Sequence, residues 1–342
     1  METPNTYTTD HIFRESLLRN ILESLKRLQT TAAMSIPQQE SGHANGDYVI
    51  NYPNIGLFGV FDSVGSLKNE DSSTPEPAQL AAELIHLLIT NARVQGTPIS
   101  CEYLQNIVKK ISRHIVTKYK SARETTVAIL VEESLEQDPN RHQKIYIVNA
   151  GDSRAYLFRN GQLRHLTLDQ ARGGTLTFPI EESNQRFEQE QLDGSFATLS
   201  AKELLEEQLL LAEANSGTEL KNYINSQSQG STIERIKATK MFELFMTRNW
   251  VRNCIGNKKT PVEPTVTELI VLPGDLIVIT SDGVHDNLKE SQITQIISEG
   301  NLMNPHNLAG ALIYGASLVS KDPNNDNPRA SQDDMSVFIK RY

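Results

Sequence analysis

Short apolar or alternating runs recur along the chain at residues 48–51, 56–61, 125–131, 145–150, 155–158, 268–272, 276–280 and 335–340, several of them rich in Val, Ile and Phe. Runs of this length and composition read as strands. Helical patterns come in blocks between them: one introduced by Pro and Ser at residues 72–77 and running to about residue 91, one over 101–119, and two more over 290–298 and 305–319. Strict strand–helix–strand alternation is missing, so the pattern is that of an α+β layered domain. Arg159-Asn160-Gly161-Gln162 has the Asn-Gly of a tight hairpin, which makes the flanking strands antiparallel neighbours.

Two stretches stand apart from this core. Over residues 10–29, Ile12, Leu17, Leu18, Ile21, Leu22, Leu25 and Leu28 fall mostly three and four apart, the signature of an amphipathic helix. Residues 1–34 are therefore expected to form a helical extension, with the main domain over 35–342. From about residue 172 to 249 Gln, Glu, Ser and Asn dominate and residues 201–214 are strongly helix-forming, which reads as an insertion into the domain and not as a second core.

Composition narrows the function classes. With 33 Lys+Arg against 42 Asp+Glu in 342 residues the net charge is −9, the wrong sign for an electrostatic grip on nucleic acid or an anionic membrane. Two cysteines, Cys101 and Cys254, supply neither a disulfide framework nor a Cys-rich zinc site. The first residues are polar where a signal peptide is apolar, and no apolar run approaches membrane-spanning length, so the expectation is a soluble cytoplasmic chain.

Four aspartates share one local setting, at or just beyond the end of a strand-like run: Asp62 in GLFGVFDS, Asp152 in IYIVNAGDSR, Asp282 in LIVITSDGV and Asp333 in SQDDMSV. A single such carboxylate usually caps a turn. Four that converge on one sheet edge repel unless hard divalent cations neutralise them. An oxygen-only, carboxylate-rich site suits Mg²⁺ or Mn²⁺, and paired ions of this kind are a recurrent clamp for phosphoester hydrolysis. Asp169, Asp275 and Asp286 read as turn or cap residues, and the histidines at 11, 86, 114, 142, 165, 285 and 306 lack metal-ligand spacing.

In this order the segments resemble the metal-dependent PPM (type 2C) Ser/Thr protein phosphatases. GLFGVFDSVGS resembles that family's first aspartate motif, KIYIVNAGDSRAYLFRNGQLRHLTLDQ its central strand pair with the GDSRA turn, and NWVRNCIGN, LPGDLIVITSDGVHDNL and QDDMSVFIKRY its later signatures. The resemblance runs from about residue 45 to 342, interrupted by the polar insertion. It implies a four-layer αββα sandwich of two antiparallel sheets flanked by helices, with the insertion as a flap. It also implies metal-dependent hydrolysis of phosphoserine or phosphothreonine in a phosphorylated protein substrate, with no nucleic-acid or membrane partner. Carried over, Asp62 bridges two Mn²⁺ or Mg²⁺ ions, Asp282 and Asp333 complete the first, and the Ser63 carbonyl serves the second. Asp47 orients waters, Asp152 and Asp282 can hold a third ion, and Asp62 and Asp282 are the residues on which catalysis turns.

The chain also departs from that pattern. The family's Asn-Glu-Asp reads Asn45-Gly46-Asp47, the first-motif glycine is Ser63 with Val64 after it, and Gln170 stands where a histidine is common. The phosphate-gripping arginine falls on Gly42, with no Lys or Arg between Arg27 and Lys68 and with His43 the one cationic candidate nearby. These losses motivate an alternative: a catalytically reduced module of the same fold that regulates by binding.

Overall fold

Strands buried at every position need cover on both faces, and three strands here have it: Leu57–Phe61, Val127–Glu132 and Leu276–Thr280. The computed structural model describes residues 30–38, 45–64, 76–118, 124–134, 142–170, 251, 253–300, 303–321 and 331–342. In chain order they form β1 (Thr31–Ile36), β2 (Tyr48–Tyr52), β3 (Leu57–Phe61), β4 (Ser63–Val64), α1 (Pro77–Gln95), α2 (Cys101–Lys118), β5 (Glu124–Thr125) and β6 (Val127–Glu132). There follow β7 (Gln143–Ala150), β8 (Arg154–Arg159), β9 (Gln162–His165), β10 (Thr265–Val271), β11 (Leu276–Thr280), α3 (Asp282–His285), α4 (Glu290–Glu299), α5 (Pro305–Ser320) and β12 (Met335–Arg341).

The long strands make two antiparallel five-stranded sheets, ordered β1-β12-β11-β8-β9 and β10-β7-β6-β3-β2. Strand alternation sorts their side chains into layers. In β3, Phe58 and Val60 join Leu130, Ile147, Ile279 and Phe338 between the sheets, whereas Leu57 and Phe61 face the cluster built with α1 and α2. On the far side Tyr156, Val278 and Val337 pack against Leu308, Leu312 and Ala316 of α5. Helices, sheet, sheet and helices give the four-layer αββα sandwich. Helix α1 buries Ala78, Ala81, Ala82, Ile85, Ile89 and Ala92 at helical spacing, starts with Pro77 in its first turn and stops at Gly96, whose φ of 65° is left-handed.

The Asn160-Gly161 turn is the expected hairpin: both residues have positive φ, 52° and 79°, and Arg159 pairs with Gln162 across it. One strand of the two large sheets was not expected. β1 runs through the anticipated boundary at residue 34 and pairs along its length with β12, Thr31 opposite Lys340 and Ile36 opposite Met335. Its sequence, TAAMSI, is poor in β-branched and aromatic residues, and its strand state comes from pairing at the sheet edge. The expected helices over 10–29 and 201–214, and the insertion over 172–249, lie outside the described residues.

Registers decide which loop ends meet. Tyr48 pairs with Phe61, so Asp47 and Asp62, one residue beyond each, leave the second sheet side by side. Arg154 pairs with Thr280, so Asp152 and Asp282 leave the first sheet at one end, and Val337 opposite Thr280 brings Asp333 there too.

Candidate metal centre

Asp62, Asp282, Asp47, Asp333 and Asp152 come together at this end of the sandwich, close enough that the other four all act electrostatically on Asp62. Burial is the first cause of the protonation shifts in the cluster and mutual repulsion adds to it. Asp62 and Asp282 are raised well above the usual carboxylate value. Asp47 is pushed up to about 7, despite hydrogen bonds from Ser336 and Ser281 that favour its charge. Asp152 rises to about 8, with Asp169 and Asp286 adding to burial, and Asp333 to about 6, with Asp334 and Asp286 adding. Unlike charge is what such a cluster lacks.

Local structure holds these side chains in place. The Ser281 hydroxyl donates to Asp47 Oδ2 at 2.8 Å and accepts from the Ser336 amide at 2.9 Å, tying the start of β2 to β11 and β12. Asp334 receives the Gly46 amide at 2.6 Å and the Gln38 amide at 2.7 Å, which fixes the approach to Asp47. The Asp62 carbonyl accepts from the Thr126 amide and the Thr125 hydroxyl, both at 2.8 Å. Gly151 has a φ of 114°, and a Cβ there would sit 2.6 Å from Thr126 Cβ, so only glycine lets the turn before Asp152 close. At Gly283 a Cβ would lie 2.0 Å from the Asp334 carbonyl oxygen, and this contact sets α3 directly against the lead-in to β12.

All the donors are hard oxygens. Asp152 Oδ1 and Oδ2, Asp282 Oδ1 and Ser63 Oγ are buried without a hydrogen-bond partner, a cost that a divalent cation with its waters would remove. Donor type and charge therefore fit Mn²⁺ or Mg²⁺. Among the described residues no three His, Cys, Asp or Glu side chains converge tightly enough to ligate one ion together, so the carboxylates share a region but not yet a common point.

Sequence reasoning missed part of the cluster. Asp286 is a cap as expected, its amide bonded to the Asp282 carbonyl at 2.8 Å, but it also acts on Asp152, Asp282 and Asp333. The signal was its spacing: four residues after Asp282 on one helical turn shares a face. Asp169, read as a turn residue, instead grips Arg154 through Nε at 3.0 Å and Nη2 at 2.5 Å. Gln170 accepts from the Gly151 amide at 3.1 Å and returns its own amide to the Gly151 carbonyl at 2.9 Å, bracing the Asp152 turn. His165 and His285 contact Thr167 and Thr280 at 3.1 and 2.9 Å. Gly42 and His43 lie outside the described residues.

Residues 31–172 match the family described as protein phosphatase 2C. A human protein, protein phosphatase 1M, is 26% identical over 229 residues, covering 57% of this chain and 48% of its own, so the chain spans about half the length of that relative. Among solved structures, the PPM Ser-Thr phosphatase MsPP from Mycobacterium smegmatis superposes with a TM-score of 0.54 at 16% identity, over 91% of this chain and 97% of that one. The catalytic domain of PstP, solved with two manganese ions, gives 0.52 at 16% identity over 91% and 96%. PppA, a regulatory component of a secretion system in Pseudomonas aeruginosa, gives 0.51 at 15% identity over 91% and 96%. These solved structures share the sandwich fold, and the sequence likeness to the protein phosphatase 2C family lies over residues 31–172.

Proposed function

We propose that the chain hydrolyses phosphoserine or phosphothreonine in proteins with Mn²⁺ or Mg²⁺ held by the aspartate cluster. The observation that carries this reading is the convergence of carboxylates from five separate strand ends, with buried oxygens left unpartnered. In it Asp62, Asp282 and Asp333 would hold one ion, Asp62 and the Ser63 carbonyl a second, and Asp47 would orient waters. Asp152 with Asp282 is the place for a third. When bound, the ions supply a hydroxide-like nucleophile and stabilise charge on the phosphoryl oxygens. The chain's own part is to hold donors on two sheets at once. Asp62 follows a strand of the second sheet, Asp282 and Asp333 flank strands of the first, and Asp152 lies in the turn from β7 of one to β8 of the other, so the sandwich itself sets their separation.

A second reading, a binding module of reduced catalytic power, is favoured by Gly46. It brings no carboxylate, and a Cβ there would already meet Asp334 Oδ2 at 3.3 Å and Ser63 Cβ at 3.4 Å. Turnover of a phosphothreonine peptide and an aryl phosphate with saturating Mn²⁺ decides between them. The enzyme reading expects metal-dependent release of phosphate that falls at least about a hundred-fold in Asp62→Asn, a loss of roughly 2.7 kcal/mol in transition-state stabilisation. No turnover by the unaltered chain leaves the binding module.

A further inference from the structure

A groove of about 510 Å³ opens between the C-terminal half of α2 and the segment 257–263. Its rim carries Lys109, Arg113, Lys258 and Lys259 against one carboxylate, Glu263, which is paired to Lys109. That is a local surplus of positive charge in a chain of net charge −9. Arg113 and Lys259 are exposed, and neither forms an ion pair among the described residues. The segment bearing Lys259 is held in shape: Asn257 Oδ1 accepts from the Lys259 and Thr260 amides at 2.8 and 3.1 Å, and Val262 is buried in the core under α2.

Hydrogen bonds connect this groove to the candidate centre. The Gly256 amide donates to Ser112 Oγ at 3.0 Å, and Ile255 exchanges backbone bonds with Thr125 at 2.9 and 3.0 Å. Thr125 in turn donates through its hydroxyl to the Asp62 carbonyl. On the other side the Glu263 amide donates to Asn253 Oδ1 at 2.8 Å, and Asn253 Nδ2 reaches Gln170, which braces the Asp152 turn. The rim of the groove is thus held in register with both Asp62 and Asp152.

We propose that the groove docks an acidic segment of the phosphorylated protein, with Arg113 and Lys259 as its anchors, while the phosphoryl group reaches the aspartate cluster. This rests on the phosphatase reading for what is delivered, but not for what is bound. Charge complementarity selects the occupant: carboxylates meet cations in the groove, and the lining of Val116, Pro261 and Val262 suits a peptide. An extended nucleic acid would have to run past the surrounding negative field. The absence of Lys and Arg between Arg27 and Lys68 gives the groove a purpose. With no guanidinium from that stretch to clamp phosphate, a remote part of the substrate is a second source of affinity.

The test measures fluorescence anisotropy of an unphosphorylated Glu/Asp-rich peptide, a neutral Ser/Asn peptide of equal length and a single-stranded oligonucleotide. They are titrated with the full chain and with its Arg113→Glu/Lys259→Glu variant. A paired assay follows turnover of a phosphothreonine peptide with acidic flanks and of an aryl phosphate. The expected result is selective binding of the acidic peptide, weakened by salt and at least ten-fold weaker in the variant. Aryl phosphate turnover should stay within two-fold while kcat/KM for the acidic phosphopeptide falls about ten-fold. If charge reversal lowers the melting temperature, Arg113→Gln/Lys259→Gln takes its place, with a smaller loss of the same sign expected. Equal binding of acidic and neutral peptides, tighter binding of the oligonucleotide, or no effect of the variants overturns the proposal. Selective, variant-sensitive binding without any turnover upholds the docking site and removes the phosphatase reading.

Discussion

The Lys340 ammonium lies 3.0 Å from the Glu132 carboxylate, with both side chains 1% exposed, and the pair joins β12 of one sheet to β6 of the other. The ammonium also sits 4.7 Å from the centre of the Phe58 ring and 4.9 Å from that of Tyr342. The pair stands at the end of the sandwich opposite the aspartates, since Lys340 pairs with Thr31 and Glu132 with Ile145, remote from Asp333 and Asp62. Removing one partner strands a buried charge. Lys340→Met should therefore lower unfolding free energy by about 3–5 kcal/mol, whereas Glu132→Leu/Lys340→Met should recover most of it. Urea denaturation of the three proteins checks this, and equal stability of the single and double variants would contradict it.

At the other end the charges are alike, and metal should act as their counterweight. Mn²⁺ is expected to raise the melting temperature by mass action. Asp62→Asn should abolish that increment and yet melt higher than the unaltered chain in chelator, because it removes a carboxyl whose ionisation burial and its neighbours oppose. Relief of about 1 kcal/mol corresponds to roughly 1–2 °C for a domain of this size. Calorimetric scans with and without Mn²⁺ test both signs, and a metal-independent fall in melting temperature in Asp62→Asn would remove the repulsion argument.

The Arg154–Asp169 fork gives a pH dependence. Burial would raise the Asp169 carboxyl, but the Arg154 charge and its hydrogen bonds outweigh burial and hold it below its ordinary 3.8. A carboxylate with a depressed folded value stabilises the fold above pH 3.8 and loses that contribution as pH falls through the folded value. Asp169→Asn should accordingly cost about 1.5–3 kcal/mol at neutral pH, the range for hydrogen bonds to charged groups, and flatten the acid limb below about pH 4. Urea midpoints at pH 7 and 3 measure the difference, and parallel acid limbs for the two proteins would refute it.

How much of this was legible beforehand depends on range. Asp62, Asp152, Asp282 and Asp333 could be read because each follows or adjoins an apolar run, and strand ends in one layered domain share an edge. The Asn160-Gly161 turn was legible because only a few residue pairs accept two positive φ values. β1 was not, since TAAMSI becomes a strand through its register on β12 about three hundred residues away. Asp334 was hidden for a similar reason: its carboxylate is satisfied by the Gln38 and Gly46 amides, a contact no local pattern encodes. The basic groove joins α2 to a segment beyond the insertion, so its charges are adjacent only after folding.

Gly283 ties the fold to the candidate centre. It follows Asp282 in α3, and a Cβ there would fall 2.0 Å from the Asp334 carbonyl oxygen and 2.9 Å from its carbon, with Asp333 Cβ 3.4 Å away. The two Asp334 atoms are backbone and cannot yield as a flexible side chain would, so Gly283→Ala has to push α3 and the lead-in to β12 apart. Overpacking of this kind costs about 1–3 kcal/mol. The displaced groups are Asp282 and Asp333, both assigned to the first ion, so Mn²⁺ affinity should fall more steeply than stability. At Gly310, by contrast, the nearest atom to an added Cβ is Met34 Cε at 3.8 Å, so Gly310→Ala is a matched control expected to hold or gain stability. Titration calorimetry with Mn²⁺ beside urea denaturation separates the two effects. Unchanged Mn²⁺ affinity in a folded Gly283→Ala would mean that Asp282 and Asp333 do not share an ion.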